Sequence, residues 1–249
     1  MSRPRAHRAL MNSRVEAPDS LDYFPTPPWA TRAFLPTLQA LDANFHTAIV
    51  WEPACGEGHM ASVLSEAAGD VIASDVFDYS AGDIEFIPDA FPGWIGEIDF
   101  LGLAERETAP AADWIITNPP FNEALKFVRL ALGHARRGVA MLVRVSWLST
   151  VERYFTLFKP YPPRMIVQYV ERVPMFKGRW DPAGSTATDY CWVVWTVGDL
   201  AYAGPTQFSW IAPGQREGLT TREDIERFAQ LAPAPLLDVI TPTLDELGL

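Results

Sequence analysis

The sequence predicts an α/β protein built on a doubly wound, mostly parallel sheet of seven strands that ends in an antiparallel hairpin. Three observations carry this. Short apolar runs alternate with stretches of helical spacing, the signature of strand–helix–strand units. Two of those runs end in turns rich in glycine or proline. The last two have no long helix between them, so they pair directly. In chain order, residues 1–20 read as a flexible basic arm with Arg3, Arg5, Arg8 and Arg14, and the Pro-rich stretch from Asp22 leads into a helix near Phe34. The first strand, Thr47–Trp51, is ended by Glu52-Pro53, and a helix follows from Gly58 to Ala68. Val71–Asp75 is the second strand and Trp94–Phe100 the third, with an irregular stretch between them. Asp113–Thr117 is the fourth; a proline turn and a helix from about Asn122 to Arg136 lead to the fifth, Gly138–Val145. Arg164–Val170 and Asp189–Val197 form the hairpin. Residues 21–198 therefore make one domain. An acidic extension, 199–249, packs on it and contains a helix capped by Thr221 and Asp224.

Composition bounds the function. Of the 249 residues, 48% are hydrophobic and 20% charged, too apolar for a disordered chain and enough to bury a full core. No apolar run approaches the roughly 20 residues that cross a bilayer, and no apolar signal core follows the N-terminal arginines. Two cysteines, Cys55 and Cys191, support neither a disulfide framework nor a Cys-rich metal site. The expectation is a cytoplasmic protein with no metal and no membrane partner. The formal net charge of −11 argues against non-specific coating of nucleic acid. Its distribution is uneven, however. Residues 70–113 hold 11 acidic side chains and 1 basic, whereas residues 114–198 hold 11 basic and 5 acidic. Such asymmetry points to a polyanion partner, and arginine, which dominates the basic segment, has the planar fork that suits phosphate.

Two turns carry the chemistry. Glu52-Pro53-Ala54-Cys55-Gly56-Glu57-Gly58 lies between a strand and a helix, where Gly56 and Gly58 let the backbone approach a ligand at the helix start. Asp75, 19 residues after Gly56, closes the next strand, where its carboxylate can accept from ribose hydroxyls. The pattern indicates an adenosine-containing ligand and, by itself, does not choose between NAD and a sulfonium methyl donor. The second turn is Asn118-Pro119-Pro120-Phe121, after the apolar run Trp114-Ile115-Ile116. Two prolines stiffen the backbone and present the Asn118 side-chain oxygen and neighbouring carbonyls to the crevice at the strand ends. That array accepts hydrogen bonds from an amino group without being a strong base, and Phe121 offers a flat face to a planar substrate.

With these residues in place, the chain resembles the class I S-adenosylmethionine-dependent methyltransferases, in particular the group that methylates DNA adenine at N6. The resemblance spans about residues 21–198 and implies a Rossmann-like methyltransferase fold. It makes Asn118, Pro119, Pro120 and Phe121 the catalytic motif. It assigns donor binding to Tyr23, Phe24, Pro25 and Thr26, to Glu52, Pro53, Ala54, Gly56 and Gly58, to Asp75, to Asp99-Phe100 and to Asn118. Asp99 would bond the adenine amino group of the donor, and the Pro-rich motif would close over it. The implied cofactor is S-adenosyl-L-methionine, and the implied substrate a DNA adenine flipped from the stack and held by Phe121.

Substrate recognition is expected from the loop Arg172–Thr188, where Arg172, Phe176, Lys177, Arg179 and Trp180 interleave cations with aromatics. No separate target-recognition domain of the kind found in long adenine methyltransferases is evident in the sequence, so specificity is expected to be short or relaxed or to come from a protein partner. Methylation of RNA or of a protein glutamine, and a non-catalytic donor- or nucleic-acid-binding subunit, remain alternatives. An NAD-dependent oxidoreductase is disfavoured because His134, late in a helix, is the only histidine in the catalytic half.

Overall fold

A computed structural model describes residues 22–79, 93–105 and 109–229. The basic arm, most of the irregular stretch after Phe77 and the end of the acidic extension lie outside these residues. The strands are β1 (Ile49–Glu52), β2 (Asp70–Asp75), β3 (Trp94–Glu97), β4 (Trp114–Thr117), β5 (Gly138–Arg144), β6 (Met165–Tyr169), β7 (Tyr190–Thr196) and β8 (Gln207–Ile211). They form one sheet in the order β3-β2-β1-β4-β5-β7-β6-β8. β7 runs antiparallel to both its neighbours, and every other pairing is parallel. Among the described residues the sheet thus has eight strands rather than seven. The additional one, β8, comes from the segment expected to be an extension and pairs in parallel with β6.

The apolar runs have no polar alternation because both faces of the sheet are covered. Alternate residues go to opposite layers. Val50, Trp114, Ile116, Ala140, Leu142, Trp192 and Val194 pack into one core, with the helices α1 (Pro28–Leu41) and α2 (His59–Leu64). Trp51, Ile115, Val139, Met141, Val143, Cys191 and Val193 pack into the other, with α3 (Ala124–His134). On the first face, Phe34 of α1 stacks on Trp192 at 4.3 Å, 8° from parallel. Tyr169 joins the same layer, donating to the Ala30 carbonyl and accepting from Trp192 Nε1 at 2.6 Å.

Two connections carry helices beyond those expected. Between β5 and β6 the chain forms α4 (Val151–Arg153), which widens directly into a π-helical turn over Tyr154–Phe158. After β8 come a further helix, α5 (Gln215–Leu219), and the expected capped helix, α6 (Arg222–Phe228). Thr221 and Asp224 form the reciprocal capping box on α6. Arg32 of α1 reaches Asp224 at 2.9 Å and Glu66 at 2.6 Å, fastening α6 to the first helical layer.

The joint between β4 and β5 is close-packed: a Cβ added at Gly138 would lie 2.4 Å from the buried Trp114 ring. Gly138→Ala is expected to lower the unfolding free energy by about 1–3 kcal/mol through overpacking. Urea denaturation would measure it, with an unchanged midpoint contradicting the packing described.

Candidate active site

The sheet reverses its winding between β1 and β4, which are neighbours with β2 and β5 on their outer sides. In open parallel sheets a crevice forms at the carboxyl ends of the strands at such a reversal. β1 ends at Glu52, β2 at Asp75, and β4 runs directly into Asn118. All three side chains line one crevice, together with Tyr23, Phe24, Pro25 and Thr26 of the segment before α1 and with Ala54 and Pro120. The two turns singled out in the sequence therefore converge on one space.

The polar groups within it are oriented. Asn118 Nδ2 donates to the Phe24 carbonyl at 2.9 Å and touches the Met175 sulfur at 3.5 Å. The amide nitrogen is thus committed to the protein. Oδ1, buried, has no hydrogen-bond partner among the described residues. Glu52 is 2% exposed, and its Oε2 is also without a partner. Burial, and secondarily the neighbouring Asp75, hold its carboxyl well above the usual carboxylate range. Asp75 accepts from the Gly56 N–H at 2.8 Å and from the Phe77 N–H at 3.3 Å. Burial raises its pKa, and these backbone donors partly offset the shift. Gly56 and Gly58 adopt φ +53° and +82°, the left-handed region that glycine enters without strain. The Tyr23 ring rests on the bare Gly56 backbone, and its hydroxyl accepts from the Glu57 N–H at 3.4 Å.

These features fit a ligand carrying both an ammonium group and hydroxyls. Glu52 and Asp75 line the crevice, Glu52 with an orphaned oxygen, beside a turn whose Gly56 presents bare backbone. Glu52 and Asp75 would hold such a group, while Tyr23 and Phe24 cover it. Among the described residues, no cluster of His, Cys, Asp or Glu could hold a metal.

Several expected site residues are placed elsewhere. Phe100 is 2% exposed and packs edge-on against Trp51 at 5.1 Å and beside Phe127 at 4.9 Å, so it is a core residue. Asp99 is exposed, outside the crevice lining, and accepts from the Leu101 N–H at 3.1 Å. Pro53 and Gly58 are buried beneath the glycine turn. Phe121 stands at the rim of the crevice, between Phe24 at 5.0 Å and the Arg144 guanidinium, 3.9 Å from the ring centre. Its flat face is thus covered by Arg144 rather than open.

The loop Arg172–Thr188 also divides. Trp180 is 1% exposed, with its ring edge-on to His59 at 6.4 Å, and anchors the loop in the protein instead of offering a face to substrate. Arg172 pairs with Asp189, and the Arg179 guanidinium sits over Phe176 at 5.3 Å. Gly178, beside Lys177, donates its N–H to the Tyr23 carbonyl at 2.9 Å. Asp22 was not singled out from sequence, yet it accepts from the Phe121 N–H at 2.6 Å across 99 residues. Met175 was likewise not singled out. No local pattern marks either, since each acts through a long-range contact.

No protein-family model matches the sequence, and no curated protein does. Among solved structures, the chain is similar to one from Listeria monocytogenes described as a class I S-adenosylmethionine-dependent methyltransferase. The TM-score is 0.56 at 13% identity, covering 78% of this chain and 68% of that one. It is also similar to a modification subunit of a type I restriction enzyme from Vibrio vulnificus, with a TM-score of 0.51 at 15% identity over 82% of this chain and 51% of that one. The methyltransferase subunit of a type I restriction-modification system from Streptococcus thermophilus gives a TM-score of 0.52 at 9% identity over 69% and 44%. The chain spans about half the length of the last two.

Two outcomes are expected. Gly56→Ala would drive a Cβ to 2.2 Å from the Tyr23 ring at a positive φ, so crevice ligands should bind at least about tenfold more weakly, by calorimetry, even where the variant folds. Burial pushes His59 down to about 3. The unfolded chain takes up this proton near pH 6.5 and the folded chain only near 3, so stability is lost as pH falls through that window, by up to about 1.4 kcal/mol per unit. His59→Phe should flatten the fall in melting temperature between pH 6.5 and 4; an unchanged slope would contradict the burial. By these comparisons, the chain shares the fold of class I S-adenosylmethionine-dependent methyltransferase structures.

Proposed function

We propose that this protein transfers a methyl group from S-adenosylmethionine to an exocyclic amino nitrogen, N6 of adenine in DNA. The observation that carries the proposal is the fixed amide of Asn118, a residue lining the crevice: its nitrogen is held by the Phe24 carbonyl, and its oxygen is buried and without a partner among the described residues. A buried acceptor without a donor costs about 1–3 kcal/mol, and an amino N–H supplies the donor. The names of the fold neighbours that are restriction-modification subunits favour DNA over RNA or a protein amide. They also favour a separate protein partner as the source of sequence specificity.

The nitrogen of an aminopurine is a poor nucleophile because its lone pair is delocalised into the ring. Accepting from that amino group, Asn118 Oδ1 draws the N–H bonds into a fixed direction and leaves the lone pair more localised on nitrogen. The Pro119 carbonyl, in the same rigid turn, would take the second N–H. Glu52 and Asp75 would hold the ammonium and ribose of the donor, and Tyr23 excludes water from above the glycine turn. S-adenosylmethionine, when bound, supplies an electrophilic sulfonium methyl. Neither Asn118 nor the prolines can act as a strong base, so the proton lost from nitrogen leaves to water. Rate enhancement therefore rests on positioning and oriented dipoles.

Methylation-free DNA incubated with isotopically labelled S-adenosylmethionine, then digested to nucleosides for mass spectrometry, should yield labelled N6-methyladenine. Asn118→Ala should reduce that rate by about 10²–10³ while donor affinity stays within a few-fold. Near-normal turnover in this variant would remove the assigned role, and label appearing only in RNA or protein would remove the substrate.

A further inference from the structure

A second cavity is lined by Phe121, Asn122, Arg144, Ser146, Trp147 and Arg153 among others. It is the cationic counterpart of the acidic crevice. Arg144 lies over Phe121 at 3.9 Å, and Arg153 over the Trp147 ring at 5.0 Å. Each arginine is thus held against an aromatic plane, and neither forms an ion pair with a described residue. The Nε atoms of both are shielded from solvent and lack a hydrogen-bond partner. Arg144 also donates a hydrogen bond to the Tyr190 hydroxyl. Two half-buried guanidinium groups facing one space, with no described carboxylate paired to either, suit an anion.

The surroundings narrow the anion. Arg153 closes α4, just before the π-helical turn, a distortion often found at functional sites. That turn exposes Tyr154 (53%) and Phe155 (58%) next to Arg153, and Lys159 sits over Phe155 at 5.7 Å. Exposed aromatic rings alternating with cations suit an unstacked nucleic-acid strand: bases stack on the rings while phosphates meet the charges. Planar guanidinium forks suit phosphodiester oxygens better than a lysine does.

We propose that Arg144 and Arg153 grip a backbone phosphate of the DNA strand adjacent to the target nucleotide, with Tyr154 and Phe155 receiving a neighbouring base. This rests on the reading of the crevice as an adenine methylation site, because Phe121, which lines this cavity, directly follows Pro120, which lines the crevice. Phosphate contacts fix the register of a strand without reading its sequence. The site would therefore hold the backbone while the base turns toward Asn118, whatever supplies specificity.

The test uses the full chain and a fluorescein-labelled, methylation-free, adenine-containing DNA duplex, titrated over a series of salt concentrations. Arg153→Gln is compared with Arg222→Gln, an exposed arginine of α6 whose ion pair with Glu226 lies on a different element. Thermal unfolding and S-adenosylmethionine affinity of each variant establish that the fold and the crevice are intact. Arg153→Gln should weaken DNA binding roughly tenfold at moderate salt and make the slope of log affinity against log salt shallower by about one, while Arg222→Gln leaves the slope unchanged. If Arg153→Gln matches the wild type, or if both variants fall alike, the phosphate site is wrong even though wild-type DNA methylation persists. If the wild-type protein neither binds nor methylates DNA, the methylation reading fails and this inference fails with it.

Discussion

The adjacency of β1 and β4 is the constraint on which the site depends. Val50 and Trp51 register against Trp114 and Ile115 through parallel backbone bonds, so the residues that follow these strands must emerge side by side. Glu52 and Asn118 are 66 positions apart in sequence, yet they face one crevice for this reason alone. Sliding β4 along β1 by a single residue would exchange its two faces. Trp114 and Ile116 would leave one core and Ile115 the other. The packing that stabilises the sheet therefore also sets the chemistry, with no device added for the purpose.

A second set of contacts roofs the crevice. The short segment Asp22–Phe24 makes one bond to each wall: Asp22 to the Phe121 N–H, the Tyr23 carbonyl to the Gly178 N–H, and the Phe24 carbonyl to the Asn118 amide. The last contact decides which end of the amide is free. Without it, Asn118 could present either donor or acceptor to a ligand. The rigid turn Asn118–Phe121 provides the position, and a distant carbonyl provides the polarity. Trp180 and Gly178 fasten the loop before β7 to the same roof, so a segment rich in charges serves partly as a structural clasp.

The strands buried on both faces were legible in the sequence because their apolar runs are unbroken, and both turns were legible because glycine and proline mark them. Thr221 and Asp224 were legible as a cap, since that signal is local. β8 was not. As an edge strand, with Phe208 and Trp210 exposed, Gln207–Ile211 has no reason to be continuously apolar. The π-helical turn after Arg153 is too short to impose a period. Trp180, read from its neighbouring cations as part of a ligand surface, is packed edge-on to His59, and Phe100, assigned to donor binding by resemblance, is packed against Trp51. Asp22 and Met175 act across long sequence separations, where spacing carries no information.

β7 has a further consequence, for the order in which the sheet can be completed. The outer edge of β5 is covered by β7, not by β6, the next strand along the chain. While the intervening 45 residues are being made, the backbone of Gly138–Arg144 has no partner on that side. At ribosomal rates of about 5–20 residues per second this lasts for several seconds. An apolar, unpaired strand edge is a template for pairing with other chains. The nascent protein thus passes through a stage of heightened self-association that ends when Tyr190–Thr196 docks, so the same strand order that closes the mature sheet makes its biogenesis sensitive to pausing before β7.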